Sequence, residues 1–304
     1  MRRVNHLLLL LFLSALSAHA QELEPRAYSN LPIGLNFAVV AYAYSEGGLA
    51  TDPSLPVEGA DLRIHTTALA FSHSLAIKGN SGRFDLILPI SDLSGTAIVA
   101  GQPASREISG LNDPRLRLAV NFYGAPAGDL KAYAKYMAQP PRTVLGASLQ
   151  VIPPLGQYDP ARAINLGTNR WAFKPDIGFS RKIKSFTWDM TFGAALMTEN
   201  DNFFGGKKVE QDPIYSTQLN VSYDFGKGFW AALGTTYYIG GRTTVDGVEK
   251  DNELGNTRVG LTVAFPFNRQ YSLKFNASTG ISTRTGTNFD TYGMALQYRW
   301  GGGL

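Results

Sequence analysis

Apolar residues recur at every second position through most of the chain, the period of a half-buried β-strand rather than of a helix. The clearest run is Pro114 to Tyr123, where Leu116, Leu118, Val120 and Phe122 form one apolar face and Arg115, Arg117, Ala119, Asn121 and Tyr123 form the reverse. Gly34 to Tyr44 alternates too, with Leu35, Phe37, Val39, Ala41 and Ala43 against Asn36, Ala38, Val40, Tyr42 and Tyr44. Asp61 to Ile77 alternates with no clear outside, and Arg83 to Leu93 sets Phe84, Leu86, Leu88 and Ile90 together. Further strands are predicted at Val144 to Pro153, Asn169 to Ser180, Phe186 to Met197 and Ile214 to Phe225. Trp230 to Ile239, Thr257 to Phe265, Tyr271 to Ala277 and Phe289 to Trp300 bring the count to twelve. Pro175 removes a ladder donor inside its strand and predicts a bulge or break there.

The connectors alternate in length. Short ones occupy Lys78 to Gly82, Arg181 to Ser185, Gly226 to Phe229 and Pro266 to Gln270. Longer ones occupy Ser45 to Ala60, Ser94 to Asp113, Pro154 to Gly167, Thr198 to Pro213, Gly240 to Asn256 and Gly280 to Asn288. Short turns on one side and long loops on the other are the signature of an outer-membrane barrel. Gly124 to Thr143 breaks the alternation, being long where a short turn belongs. Its centre, Asp129 to Met137, reads either as a short helix with Leu130, Tyr133 and Met137 on one stripe, capping the periplasmic mouth, or as a disordered insertion.

Alternation alone suits a soluble sandwich as well as a membrane barrel, so the amino terminus matters. Arg2 and Arg3, the apolar run Leu7 to Leu16 and the triplet Ala18-His19-Ala20 read as a secretory signal peptide cleaved after Ala20, since the run is too short to span a bilayer. Residues 21–304 then form one domain. Trp188, Tyr215, Tyr223, Tyr271, Tyr292, Tyr298 and Trp300 lie near the ends of apolar faces, where amphipathic rings bridge hydrocarbon and water. The last strand ends on alternate residues Tyr292, Met294, Leu296, Tyr298 and Trp300, like the terminal signal of outer-membrane proteins, with Gly301 to Leu304 as an added tail. The fold class is therefore all-β, a transmembrane antiparallel β-barrel of twelve strands in the outer membrane of a Gram-negative cell. Segments in lipid must close on themselves, because an open edge leaves a row of unpaired backbone groups in hydrocarbon.

Composition mostly excludes. The chain has no cysteine, so disulfides, thiolate metal sites and cysteine nucleophiles are absent. Its formal charge of +4 falls to +2 without Arg2 and Arg3, too little to argue for nucleic acid. After the leader only His65 and His73 remain, eight residues apart. On an extended strand they share a face but stand about 26 Å apart, too far to share a metal. His73 and Ser74 are adjacent and point to opposite faces, a poor start for a barrel phospholipase. No phosphate loop, zinc pair or calcium loop occurs, so neither enzyme nor cofactor is expected.

The strand reverses carry the candidate chemistry. Arg115, Arg117, Arg170, Lys174, Asp176, Asp189, Arg258, Lys274 and Arg299 are the candidate lumen-lining or ligand-binding residues, with Asp224 also on an inner face. Arg170 and Lys174 either meet an anion or pair with Asp176 and other acids, pairing being the ordinary outcome. The cationic share predicts a preference for anionic or aromatic solutes.

Several stretches resemble the outer-membrane family named for the MetA pathway of phenol degradation. They are Arg26-Ala27-Tyr28-Ser29-Asn30, Gly110-Leu111-Asn112-Asp113-Pro114, Gly124-Ala125-Pro126-Ala127, Pro154 to Pro160, Asn165 to Pro175 (NLGTNRWAFKP), Gly240-Gly241-Arg242-Thr243 and Tyr298-Arg299-Trp300. The resemblance covers nearly all of the chain after the leader. It implies a barrel and the uptake or efflux of small, aromatic or hydrophobic compounds, and it carries over no catalytic set. The expected partners are outer-membrane lipid and lipopolysaccharide, the barrel-assembly machinery and a small solute. The alternative is a structural or adhesion barrel that transports nothing.

Overall fold

Backbone pairing organises the computed structural model, which describes residues 24–50, 57–99, 101–139, 143–162 and 164–304. The signal-peptide expectation lies outside these residues. The first staves are β1 (Leu35–Ala50), β2 (Val57–Ile77) and β3 (Asn80–Val99). An arm, β4 (Gln102–Leu111), pairs only with the upper part of β3, and β5 (Arg115–Tyr123) takes its lower part. Helix α1 (Leu130–Met137) leads to β6 (Thr143–Ile152), β7 (Ala172–Ile183) and β8 (Phe186–Met197). Beyond β9 (Asn200–Phe203) and β10 (Lys207–Gln211) come β11 (Ile214–Gly226) and β12 (Phe229–Gly240). After β13 (Thr243–Val245) and β14 (Val248–Glu249), the wall ends with β15 (Leu254–Pro266), β16 (Tyr271–Ser282) and β17 (Gly286–Gly301). Without β4, β9, β10, β13 and β14, twelve antiparallel strands remain among the described residues, closed by β1 on β17 and β2 on β3.

Neighbour pairing decides which face meets lipid. In β17, Tyr292, Met294 and Leu296 are exposed, and they sit opposite Tyr44, Tyr42 and Val40 of β1. Residues directly opposite each other point to the same side. Strand β1 therefore turns Val40 and Tyr42 outward, while Leu35 and Phe37 are buried inside. The same logic fixes β2, where Leu69 stands opposite Val40 and Phe71 opposite Ala38, both leucine and phenylalanine facing lipid. Lys78-Gly79 and Lys227-Gly228 both have positive φ at each residue, the two-residue hairpin geometry that matches strand twist. Rings follow one another around the periplasmic end through Phe186, Tyr223, Phe225, Phe229 and Phe265, with centroids 4.5–4.9 Å apart. Tyr271, Tyr298, Trp300 and Phe71 continue the girdle.

Two sequence expectations need correction. The long connectors are largely strand: β2 and β3 run 21 and 20 residues, where about 9–11 cross hydrocarbon. The outer positions above Thr67 and Ile90, namely Arg63, His65, Asp92 and Ser94, are polar, so these strands continue into water without an apolar outer face to announce them. The connectors after β8 and β12 likewise hold a small sheet in the order β14-β13-β10-β9. Asn169, Arg170 and Trp171 precede β7 instead of opening it, because Asn169 takes a left-handed turn and its side chain donates to Asn200. Pro175 gives the break that was one of its two expected outcomes: β7 pairs β8 at Phe173 with Leu196 and again at Asp176 with Gly193, in unchanged register.

Lipid-facing charge should cost stability according to depth. Ile177→Arg, near the middle of β7, is expected to lose about 2–4 kcal/mol, and Ile183→Arg at its periplasmic end about 0–1. Reversible unfolding in lipid vesicles measures both, and equal losses would contradict the assigned faces and depth.

Candidate functional site

The lumen is crossed by the segment that precedes β1. Glu24 accepts a hydrogen bond from Arg83 Nη2 at 2.9 Å and another from Arg117. Arg83 also pairs with Asp85, and Arg117 donates to Ser148 Oγ at 2.9 Å. Ser148 passes the network to Asp176 at 2.6 Å. Two residues on, the Arg26 amide donates to Asp189 at 3.2 Å while its guanidinium lies 4.7 Å from the Trp230 ring and 3.7 Å from Asp224. Tyr28, 3 % exposed, fills a slot made by Gly146 and Gly178, which face each other across β6 and β7. A Cβ at either glycine would lie 2.0–2.1 Å from the tyrosine ring, so only glycine admits it. At the base, Ser74 accepts from the Leu35 amide at 2.9 Å and donates to the Pro32 carbonyl.

Burial disfavours the charged form of Glu24, yet the fields of Arg117, Arg83 and Lys274 and the Arg83 hydrogen bond outweigh it and hold the carboxyl down at about 2. The strap is thus tied as a fixed anion inside a ring of cations.

Each mouth is narrowed. On the periplasmic side the connector after β5 runs beside the β2–β3 turn, through Ser81 N to Ala125 O and Ala127 N to Gly79 O. Asp129 caps α1 by accepting from the Ala132 amide at 2.7 Å. Burial pushes the Tyr133 phenol up, against the pull of Arg299 and Arg26, which places this helix face toward the lumen. Leu130 and Tyr133 are half-buried as the stripe predicts, but Tyr136 takes the half-buried place expected for Met137, which is 48 % exposed. On the extracellular side, fully buried Asp113 accepts from Gly156 N, Thr168 N and Thr168 Oγ at 2.7–2.8 Å. It folds the segment after β6 inward, so that Leu166 packs on Leu62, Leu93 and Phe289 of the inner wall.

Between these constrictions lies a cavity of ≈ 370 Å³, with Pro25 of the strap on one side and Arg115, Arg258 and Lys274 among its walls. A smaller one of ≈ 80 Å³ touches Glu24, Arg117, Lys174 and Asp176. The candidate residues therefore separate. Arg115, Arg258 and Lys274 meet at the larger cavity, and Arg117, Lys174 and Asp176 at the smaller. Asp189 serves the strap, while Arg299 bonds the Arg269 carbonyl near the periplasmic end. Arg170, buried, donates to Gln211 rather than pairing with Asp176, because it belongs to the inward loop; Asp176 instead lies 3.9 Å from Arg117. Alternation gave no hint of Glu24, Arg26 and Tyr28, which belong to no strand. The usable signal was a pair of glycines at inner positions of neighbouring strands.

His73 faces outward and hydrogen-bonds Asn36 at 2.8 Å, while Ser74 is buried inside at the strap. His65, also outward, meets the Tyr42 hydroxyl at 2.7 Å.

A family model described as "Putative MetA-pathway of phenol degradation" matches residues 44–299. Among solved structures, an outer membrane channel from Pseudomonas putida F1 is 21 % identical with a TM-score of 0.79, covering 92 % of this chain and 100 % of that one. The transport unit of the autotransporter AIDA-I from Escherichia coli is 10 % identical with a TM-score of 0.53, covering 93 % and 94 %. Comparison with curated proteins returns no match. At these identities the solved structures establish shared architecture, a closed twelve-stranded antiparallel barrel.

The depressed Glu24 value fixes a pH window. Its ionised contacts contribute fully above about 4.5 and are lost as pH falls through about 2. Wild type should be more stable than Glu24→Gln at pH 7, and the gap should close between pH 4.5 and 2. Heat-dependent gel mobility of refolded protein reads it; a gap independent of pH would show that the carboxylate charge does not hold the strap.

Proposed function

Starting from the premise that this chain belongs to the family of the MetA pathway of phenol degradation, we propose that it is an outer-membrane channel for small solutes, single-ring compounds above all. The observation that carries this reading is the space left inside the wall. Twelve strands enclose more room than the strap and the inward loop occupy, and ≈ 370 Å³ remains between them. Such a lumen admits solutes one at a time and discriminates by width and by lining charge.

The constrictions act as a sieve. A solute from outside must pass the Asp113-anchored loop, then the strap, then the mouth beside α1. Arg115, Arg117, Lys174, Arg258 and Lys274 make the passage favourable to anions, and Asp176 and Asp189 are drawn into local contacts that leave this sign unchanged. The Pseudomonas putida protein is an outer membrane channel, and the architecture it shares with this chain is compatible with this reading. No hydrolysis belongs to it: His73 and Ser74 lie on opposite sides of the wall, so the base cannot reach the hydroxyl.

Refolded protein in planar bilayers and in swelling liposomes tests the proposal with phenol, benzoate and larger sugars. Small, stable conductance and exchange of single-ring solutes with exclusion of oligosaccharides are expected, and removal of residues 24–31 should raise conductance severalfold. Folded protein that passes neither ions nor phenol, with the strap or without it, would defeat the channel reading.

A further inference from the structure

Among the arginines of the described residues, Arg26, Arg115 and Arg170 each keep one buried donor nitrogen without a hydrogen-bond partner, and Arg258 keeps two. It is 4 % exposed, and its Nη2 donates to Ser278 Oγ at 3.1 Å and to the Phe289 carbonyl at 2.6 Å. Its Nε and Nη1, both buried, find no acceptor among the described residues. Buried donors of a charged group that go unmatched cost free energy, and native structures seldom retain them without an ion or water to receive them. These donors belong to a residue that lines the ≈ 370 Å³ cavity, together with Arg115 and Lys274.

The cavity wall contains three cations and, among the described residues, no carboxylate. Glu24 is bonded to Arg83 and Arg117, and its field also reaches Lys274. Asp290, whose field reaches Arg258, is exposed and accepts from Thr279 at 2.6 Å. Neither acid lines the cavity. A positive, partly desolvated pocket attracts an anion far more strongly than the same charges would in bulk water. The remaining wall includes Pro25, Ile87 and Phe289, which offer apolar surface beside the guanidinium. Pockets of roughly 300–1,000 Å³ hold small organic molecules, so a single ring with one acidic group fits with room to spare.

We propose that this cavity is a binding site for a monoaromatic carboxylate, whose carboxylate meets Arg258 and Lys274 and whose ring lies against Phe289 and Ile87. The inference deepens the channel reading by giving the lumen a specific resting place for its solute. With Arg258 Nη2 committed to Ser278 and Phe289, its Nε and Nη1 each leave a single charge-assisted donor for a carboxylate oxygen, and Lys274, exposed to the lumen, adds a mobile charge. The apolar wall separates an aromatic acid from a simple inorganic anion.

Equilibrium dialysis of refolded, micelle-bound protein at pH 7 against benzoate, benzamide and acetate tests the site. Benzamide keeps the ring and shape of benzoate without its charge, and acetate keeps the charge without the ring. Benzoate should bind saturably and at least about tenfold more tightly than either, the ratio that one charge-assisted hydrogen bond supports. Arg258→Gln and Lys274→Gln should each erase most of the preference over benzamide. Lys274 feels its neighbours through charge alone, so its variant keeps the test decisive if loss of the Ser278 and Phe289 contacts unfolds the other. Equal binding of benzoate and benzamide, equal binding of acetate, or a preference that survives Lys274→Gln in folded protein overturns the proposal. Conductance without benzoate preference would sink the site and spare the channel; preference in a protein that passes no solute would do the reverse.

Discussion

The requirement that no backbone donor or acceptor be left unpaired in hydrocarbon governs this molecule. A single open edge among twelve strands would expose a ladder of N–H and C=O groups to lipid, each costing several kcal/mol. Pairing of β1 with β17 removes that edge, and the register running from Leu35 with Gly301 to Tyr44 with Tyr292 leaves no gap in the seam. Closure then fixes the side on which every residue lies. Once β17 shows Met294 and Leu296 to lipid, β1 must show Tyr42 and Val40, whatever its own pattern prefers.

A closed wall creates an inside, and the inside has its own electrostatic demands. Arg83 and Arg117 project from neighbouring strands into a space partly shielded from bulk water, where unpaired charge is expensive. Glu24 answers both at once, Asp224 answers the Arg26 guanidinium, and Asp189 accepts from the Arg26 main-chain amide. The strap thereby supplies neutralising charge as well as bulk. Tyr28 converts this electrostatic tether into a fitted one, since its ring enters a slot that two paired glycines leave open. At the other mouth a buried carboxylate plays a similar part: Asp113 gathers three donors from the inward loop and holds Leu166 against the wall. The unfilled part of the lumen is the remainder between these two inserts, and Arg258 lies in its wall.

Strands with one apolar face were legible in the sequence almost to the residue. Leu116, Leu118, Val120 and Phe122 mark β5, and Phe186, Trp188 and Phe192 mark β8, because lipid demands large apolar groups at alternate positions and the lumen does not. The same demand explains the failures. Above Thr67 and Ile90 the outer face meets water and the apolar residues, Leu62 and Leu93 among them, turn inward against Leu166, so the strand ends beyond Asp61 and Leu93, together with β4, carry no lipid-type face and look like loop. The Leu130–Tyr133 spacing offered α1 as one of two readings of that segment, since helical periodicity is local. The candidate charges were found as a class, inner-facing arginines, lysines and acids, without any indication of which would meet.

Sequence by itself determined the membrane-spanning strands, their number and the short turns joining them, because side-chain period and turn chemistry act over a few adjacent residues. Tertiary structure alone decided that residues 24–34 turn back into the barrel, that Arg117 and Arg83 share Glu24, and that Arg115, Arg258 and Lys274 surround one cavity. Arg115 and Arg258 are far apart along the chain and no local pattern couples them. Only closure of the sheet, by bringing β5 and β15 around to face one common interior, gives them the same space.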